Sequence, residues 1–249
     1  MREPPGSLGP GPVAMAVPGP CCWRIDLAAL ARDCLDRDCA RWPASEWLDA
    51  QELDRLQSFA LNKRRIEWLG GRLAAKRALG QLYAREGWAG RAPRACRVVH
   101  HADGRPVFDG MPLHLSISHS RQLAMAAVGT EPLGVDVESV DALRADSLVA
   151  LLRPAEVRVL RQAMGLRTDS ARALAWCLKE ALFKVVGAGG FARFASALHL
   201  AGWQPPDRPQ WQAHALEEEF AVRLAREANR WRAWCAVEAG MAHVLVLPA

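Results

Sequence analysis

The feature that most constrains the fold is a long apolar-periodic segment from about Asn62 to Arg85, where Ile66, Leu69, Leu73, Ala74, Leu79 and Leu82 recur near helical spacing. A helix of that length has to bury one stripe, and mostly short alternating runs surround it. Cys22 to Leu27 predicts a strand ahead of it, followed by a polar helical stretch over Glu46 to Gln57. Cys96 to His100, Leu113 to Ser118 and Leu123 to Val128 predict strands after it, with turn signals at Asp103-Gly104 and Asp109-Gly110. Gly70-Gly71 in mid-helix costs roughly 1 kcal/mol per glycine against alanine, which calls for close approach of a ligand or a neighbouring element.

Thr130-Glu131-Pro132 reads as a seam, and strands and helices mix again beyond it. Leu133 to Val137 predicts a strand, Ser147 to Met164 and Ser170 to Val186 predict helices, and Gln212 to Leu216, Phe220 to Ala225, Trp231 to Glu238 and His243 to Leu247 predict strands. The expected organisation is α+β: a flexible Pro/Gly-rich tail over 1–20, then two halves of similar size, 21–130 and 131–249, meeting face to face. At 249 residues and 51% hydrophobic the chain can bury a substantial core. It has no run of about 18 apolar residues, so no membrane span is expected.

Seven cysteines without a paired framework or a CxxC spacing suit a reducing cytoplasm and argue against structural zinc. A net charge of +5 suits an anionic small molecule, an acidic protein or nucleic acid. Among 32 lysines and arginines, only Lys63, Lys76, Lys179 and Lys184 are lysine. Where a chain otherwise uses arginine, a lysine marks a place for a compact point charge or a transferable proton. Chance is the alternative.

The chemistry concentrates in two segments. In Gly134-Val135-Asp136-Val137-Glu138, strand alternation presents Asp136 and Glu138 together while Val135 and Val137 pack inward. Two adjacent carboxylates suit a hard divalent cation such as Mg²⁺, and an ordinary amphipathic strand is the plainer reading. In Trp176-Cys177-Leu178-Lys179-Glu180-Ala181-Leu182-Phe183-Lys184, Leu174, Cys177, Leu178, Ala181 and Val185 form the apolar stripe. Trp176, Glu180 and Lys184 stand four apart on another face, where Glu180 and Lys184 could also be a simple surface ion pair. A third patch joins Asp103-Gly104-Arg105-Pro106 to Leu115-Ser116-Ile117-Ser118-His119-Ser120, whose hydroxyls, imidazole, arginine and turn amides can donate to phosphate oxygens. A plain turn and strand end is its alternative.

In order along the chain, these residues resemble the 4′-phosphopantetheinyl transferases of the surfactin-synthetase-activating type, whose pattern is a G-x-D-x-E strand followed by W-x-x-K-E-x-x-x-K. Gly104-Arg105-Pro106 is similar to the family's G-[KR]-P, Ser116 to Ser120 to its N-x-S-H-S with Ser116 in place of asparagine, and Gly71-Arg72 to a glycine-arginine in the first long helix. The resemblance implies two pseudo-twofold-related halves, each a small antiparallel sheet packed with helices, with coenzyme A in a cleft between them. It implies that Asp136, Glu138 and Glu180 hold Mg²⁺, and that Arg72, Gly104, Arg105, Pro106, Ser118, His119, Asp136 and Lys184 contact coenzyme A. Glu180 would take the proton of an acceptor serine and Lys184 would protonate the departing 3′,5′-ADP. The implied partner is an acyl, peptidyl or aryl carrier protein, served by a cytoplasmic monomer.

The competing readings are a metal-dependent phosphodiesterase or nuclease, and a nucleic-acid-binding module using Lys63, Arg64, Arg65, Arg72, Lys76 and Arg77.

Overall fold

The chain divides at the seam, into Met1–Glu131 and Pro132–Ala249. The computed structural model describes residues 19–35, 44–143, 151–187, 190–214 and 219–249, so most of the predicted tail lies outside the described residues.

In the first unit, strand β1 (Cys21–Asp26) leads into helices α1 (Leu27–Leu35), α2 (Ala44–Trp47), α3 (Ala50–Gln57) and α4 (Asn62–Glu86). Strands β2 (Val98–His100) and β3 (Pro106–Phe108) form a hairpin, and β4 (His114–His119) and β5 (Leu123–Gly129) complete a sheet of order β1-β5-β4, antiparallel throughout. The predicted polar helix 46–57 is in fact two helices, because Asp49 caps α3: its carboxylate accepts from Glu52 N at 2.8 Å. Helix α1 and strand β3 carry no clean periodicity and went unpredicted.

The cost of Gly70-Gly71 has its reason in packing. A Cβ at Gly70 would stand 2.4 Å from Leu27 Cδ2 and 3.1 Å from Ala124 Cβ, and one at Gly71 would stand 2.9 Å from Ile117 Cγ2. The glycines let α4 lie directly against the sheet and the start of α1. Most of its middle is therefore buried, Arg72 and Lys76 included.

In the second unit, strand β6 (Gly134–Ser139) is followed by helices α5 (Pro154–Met164), α6 (Thr168–Val186) and α7 (Phe191–Ala197). The hairpin β7 (Leu198–Gln204) and β8 (Arg208–Ala213), helix α8 (Glu219–Ala228), and strands β9 (Trp231–Glu238) and β10 (Met241–Pro248) follow. The main sheet has order β6-β10-β9, again antiparallel. Both units thus share one topology: the first strand of the unit pairs with its last, which sits in the centre, and a long helix packs on the sheet.

Phe220 to Ala225 is helix, not the predicted strand. Phe220, Val222 and Leu224 alternate by chance, whereas Ala221, Leu224, Ala225 and Ala228 are the buried positions and follow helical spacing. The predicted helix 147–164 begins at Pro154 within the described residues, and the end of predicted strand 212–216 lies outside them.

Candidate active site

Strand β6 is buried on both faces. Asp136 pairs with Val244 and Glu138 with Ala242, and Val244 and Ala242 belong to the core under α6. Asp136 and Glu138 therefore face the helix, while Val135 and Val137 are buried on the other face; the carboxylate side, expected to be the outer one, is turned inward as well. The carboxylates are turned inward because α6 supplies partners for them.

Lys184 Nζ donates to Asp136 Oδ1 at 2.9 Å and to the carbonyl of Val135 at 2.8 Å. Asp136 is buried and is hydrogen-bonded to Glu180, so two carboxyl groups meet beside one ammonium. Burial and the Asp136 charge push Glu180 up to about 7, with Lys184 opposing and Glu138 adding to the rise. Glu138 Oε1 accepts the backbone N–H of Ser139 at 2.8 Å. Cys177, one turn before Glu180, lies against the same carboxylate, and burial together with Asp136 raises its thiol pKa strongly. Sequence reading placed Cys177 only in the apolar stripe; its helical spacing with Glu180 and Lys184 was the available signal.

Among the described residues no three His, Cys, Asp or Glu side chains are gathered as a ready-made metal cage. The chemistry of the donor set nonetheless fits a hard cation. Two carboxyl groups in contact, one with its pKa raised by the other's charge and Glu138 near enough to add to that rise, form a site that a divalent ion neutralises.

Two residues of the W-x-x-K-E-x-x-x-K segment serve packing. The Trp176 ring meets Phe191 edge-on at 5.3 Å. Lys179 is buried about 100° around the helix from Glu180 and faces away from the carboxylates.

The first unit holds a cavity of about 270 Å³ lined by Phe59, Arg64, Glu67, Trp68, Gly71, Arg72, His100, Pro106, Ile117 and His119. The Arg72 guanidinium lies 4.6 Å from the Trp68 ring centroid, and burial lowers its pKa to about 10. Its Nε has no hydrogen-bond partner among the described residues, so an anion entering the cavity would find a desolvated cation ready to donate. Burial, Arg72 and Arg55 together hold the His100 pKa low.

The predicted phosphate patch is divided by this arrangement. Arg72, Pro106 and His119 line the cavity. Ser118 is buried on the opposite face of β4 from Ile117 and His119. Gly104 takes the turn of the β2–β3 hairpin with φ +87, and Arg105 beside it is bound to Asp103 at 2.6 Å instead of lining the cavity. That pairing holds the Asp103 carboxyl far below its usual range. Arg64, Trp68 and His100 were missed, although the four-residue spacing of Arg64, Trp68 and Arg72 on one helix was a readable signal.

The family signature described as the 4′-phosphopantetheinyl transferase superfamily matches residues 132–236, and that of the 4′-phosphopantetheinyl transferase N-terminal domain matches residues 52–129. A holo-[acyl-carrier-protein] synthase of Exiguobacterium sibiricum is 36% identical over 95 residues, covering 37% of this chain and 73% of that protein. The chain belongs to the 4′-phosphopantetheinyl transferase superfamily. Enterobactin synthase component D of Salmonella austin is 29% identical over 150 residues, 60% of this chain and 59% of that one. A solved holo-(acyl-carrier-protein) synthase from Bacillus anthracis str. Ames, in complex with CoA (3′,5′-ADP), is 26% identical and covers 44% of this chain and 92% of that one. Its TM-score of 0.36 is too partial a likeness to speak for the fold.

Proposed function

We propose that this transferase moves the 4′-phosphopantetheine group of coenzyme A to a serine of an apo carrier protein. The observation that carries the reading is the cluster of Asp136, Glu180 and Lys184 on β6 and α6, in a chain of this superfamily. Coenzyme A presents what each unit selects. Its phosphorylated nucleotide suits the arginine cavity, and its pyrophosphate suits a carboxylate cluster with one ammonium.

Asp136, Glu138 and Glu180 would hold a divalent cation, most simply Mg²⁺, which when bound supplies charge neutralisation for the pyrophosphate oxygens. The serine Oγ forms a bond to the pantetheine-bearing phosphorus as the bond to 3′,5′-ADP breaks. Glu180, the carboxylate on α6 beside Asp136, receives the serine proton. Lys184, held by Asp136 and the Val135 carbonyl, faces the leaving phosphate and gives it a proton. Arg72 and His119 hold the nucleotide end.

Of the six basic side chains of α4 that a nucleic-acid surface would use, three are engaged in packing, which favours the transfer reading. Lys76 is buried against Glu52, Arg72 is buried over Trp68, and the Arg77 guanidinium lies 5.1 Å from the Trp23 ring and 5.3 Å from the Trp47 ring. Superfamily membership likewise favours group transfer over the phosphodiesterase reading.

Both residue sets lie on one chain, which supports a monomer, and unpaired thiols at Cys21, Cys22, Cys96 and Cys177 support a cytoplasmic setting. Among the described residues no helix is long and apolar enough to cross a membrane. The basic net charge of +5 suits a carrier with an acidic recognition surface. In Glu180→Gln, turnover is lost while coenzyme A still binds; turnover near that of the native chain would overturn the role given to this carboxylate.

A further inference from the structure

Lys179 is 1% exposed, and the chemistry above does not use it. Its ammonium donates to the carbonyls of Leu151 at 2.7 Å, Ala195 at 2.8 Å and Leu198 at 3.1 Å, and to Glu156 Oε2 at 3.1 Å. Glu156 is itself fully buried: Oε2 accepts from Arg153 N at 2.8 Å and Oε1 from Leu200 N at 2.9 Å. One ion pair thus ties α6 to the start of α5, to the end of α7 and to β7. Both charged groups are withdrawn from water, so the pair is costly to keep.

We propose that Lys179 is a positioning residue for the transfer reaction: with Glu156 it fixes the roll of α6 and thereby the meeting of Glu180 with Asp136. The inference rests on the function proposed above. A buried ion pair gives little net stability over well-packed apolar side chains, whereas several fixed acceptors around one ammonium permit a single orientation of the helix. Glu180 is the next residue, and Lys184 lies on the same helix. A misplacement of about 1 Å at reacting groups can cost roughly a hundredfold in rate.

The first unit repeats the device. Lys76, on α4, donates to the carbonyl of Trp47 at 2.7 Å and pairs with buried Glu52, whose other oxygen accepts from Val98 N at 3.1 Å. In each unit a glutamate in the first turn of a preceding helix takes a strand N–H on one oxygen and pairs with the long helix's lysine, Lys76 on the other oxygen of Glu52 and Lys179 across both oxygens of Glu156. The Lys76 clamp lies one helical turn after Arg72, the anion-binding residue of its unit. Two buried Lys–Glu clamps of the same kind, with three carbonyl acceptors around Lys179 and one at Lys76, therefore sit behind two different functional groups, which separates positioning from general stability.

The test uses the full chain with two paired substitutions, Lys179→Met with Glu156→Gln and Lys76→Met with Glu52→Gln, neither leaving a buried charge unpaired. In the first, kcat falls at least about tenfold while KM for coenzyme A stays within about threefold; in the second, KM rises about tenfold with kcat little changed. A folded Lys179→Met/Glu156→Gln chain with kcat within about threefold of the native value, or the same losses from both pairs, would overturn the proposal. A crystal structure of that variant gives a readout independent of activity. The proposal expects α6 to be rolled so that Lys184 leaves Asp136; α6 unmoved would contradict it. Should the native chain modify no carrier, the proposed function fails while the crystal structure still decides the clamp.

Discussion

Gly134 lies so close to helix α6 that a Cβ there would stand 2.1 Å from the carbonyl oxygen of Ala181. The strand can bring Asp136 under Glu180 only because this position has no side chain. Ala181 is backbone of the helix that carries Glu180 and Lys184, so a methyl group must push the whole helix away. Gly134→Ala is expected to destabilise the fold by about 1–3 kcal/mol through overpacking. Turnover should fall further than coenzyme A affinity does. Urea unfolding and steady-state kinetics check both; native-like stability would mean that the contact is not rigid.

Glu180 titrates at about 7 in the folded chain against an ordinary 4.5. Because folding raises this pKa, the stability linked to the protonated group is complete below pH 4.5 and is lost as pH rises through 7. The loss is on the order of 2 kcal/mol after allowance for partial solvent screening. In EDTA, Glu180→Gln should therefore melt higher than the native chain at pH 8, with the difference closing by pH 5. Mg²⁺ should raise the melting temperature of the native chain at pH 8. Parallel pH profiles for the two chains would contradict the raised Glu180 carboxyl beside Asp136.

Arg72 is a desolvated guanidinium over Trp68 in the first-unit cavity. Arg72→Met preserves bulk and removes the charge, and charged hydrogen bonds contribute about 1.5–3 kcal/mol each. Calorimetric titration should show coenzyme A binding weakened roughly ten- to a hundredfold. Unchanged affinity would move the nucleotide away from this cavity.

The two long helices and most strands were legible because their periods are clean, and the meeting of the D-x-E and K-E-x-x-x-K segments was legible because strand and helix spacing each gather their polar residues on one face. What sequence could not carry was direction. Alternation along β6 pairs Asp136 with Glu138 but does not say which face meets α6, and here both faces are buried. The four lysines led to a mixed outcome: Lys184 meets Asp136, exposed Lys63 reaches buried Glu67 at 3.6 Å, and Lys76 and Lys179 are buried clamps. Composition could not separate a lysine held for its proton from one held for its compact charge in a tight ring of acceptors. Ser118 and His119, adjacent in sequence, point to opposite faces of β4, so of these two polar residues of the motif His119 lines the cavity and Ser118 does not.

The most direct measurement is the intact mass of purified apo carrier proteins after incubation with this chain, coenzyme A and Mg²⁺, with an EDTA control. The expected result is a mass gain of one phosphopantetheine on at least one carrier, abolished by EDTA and by replacing the acceptor serine with alanine. No gain on fatty-acid, polyketide and peptide carriers alike, with the chain folded and coenzyme A bound, would contradict the transfer reaction. A gain that survives EDTA would remove the metal from Asp136, Glu138 and Glu180.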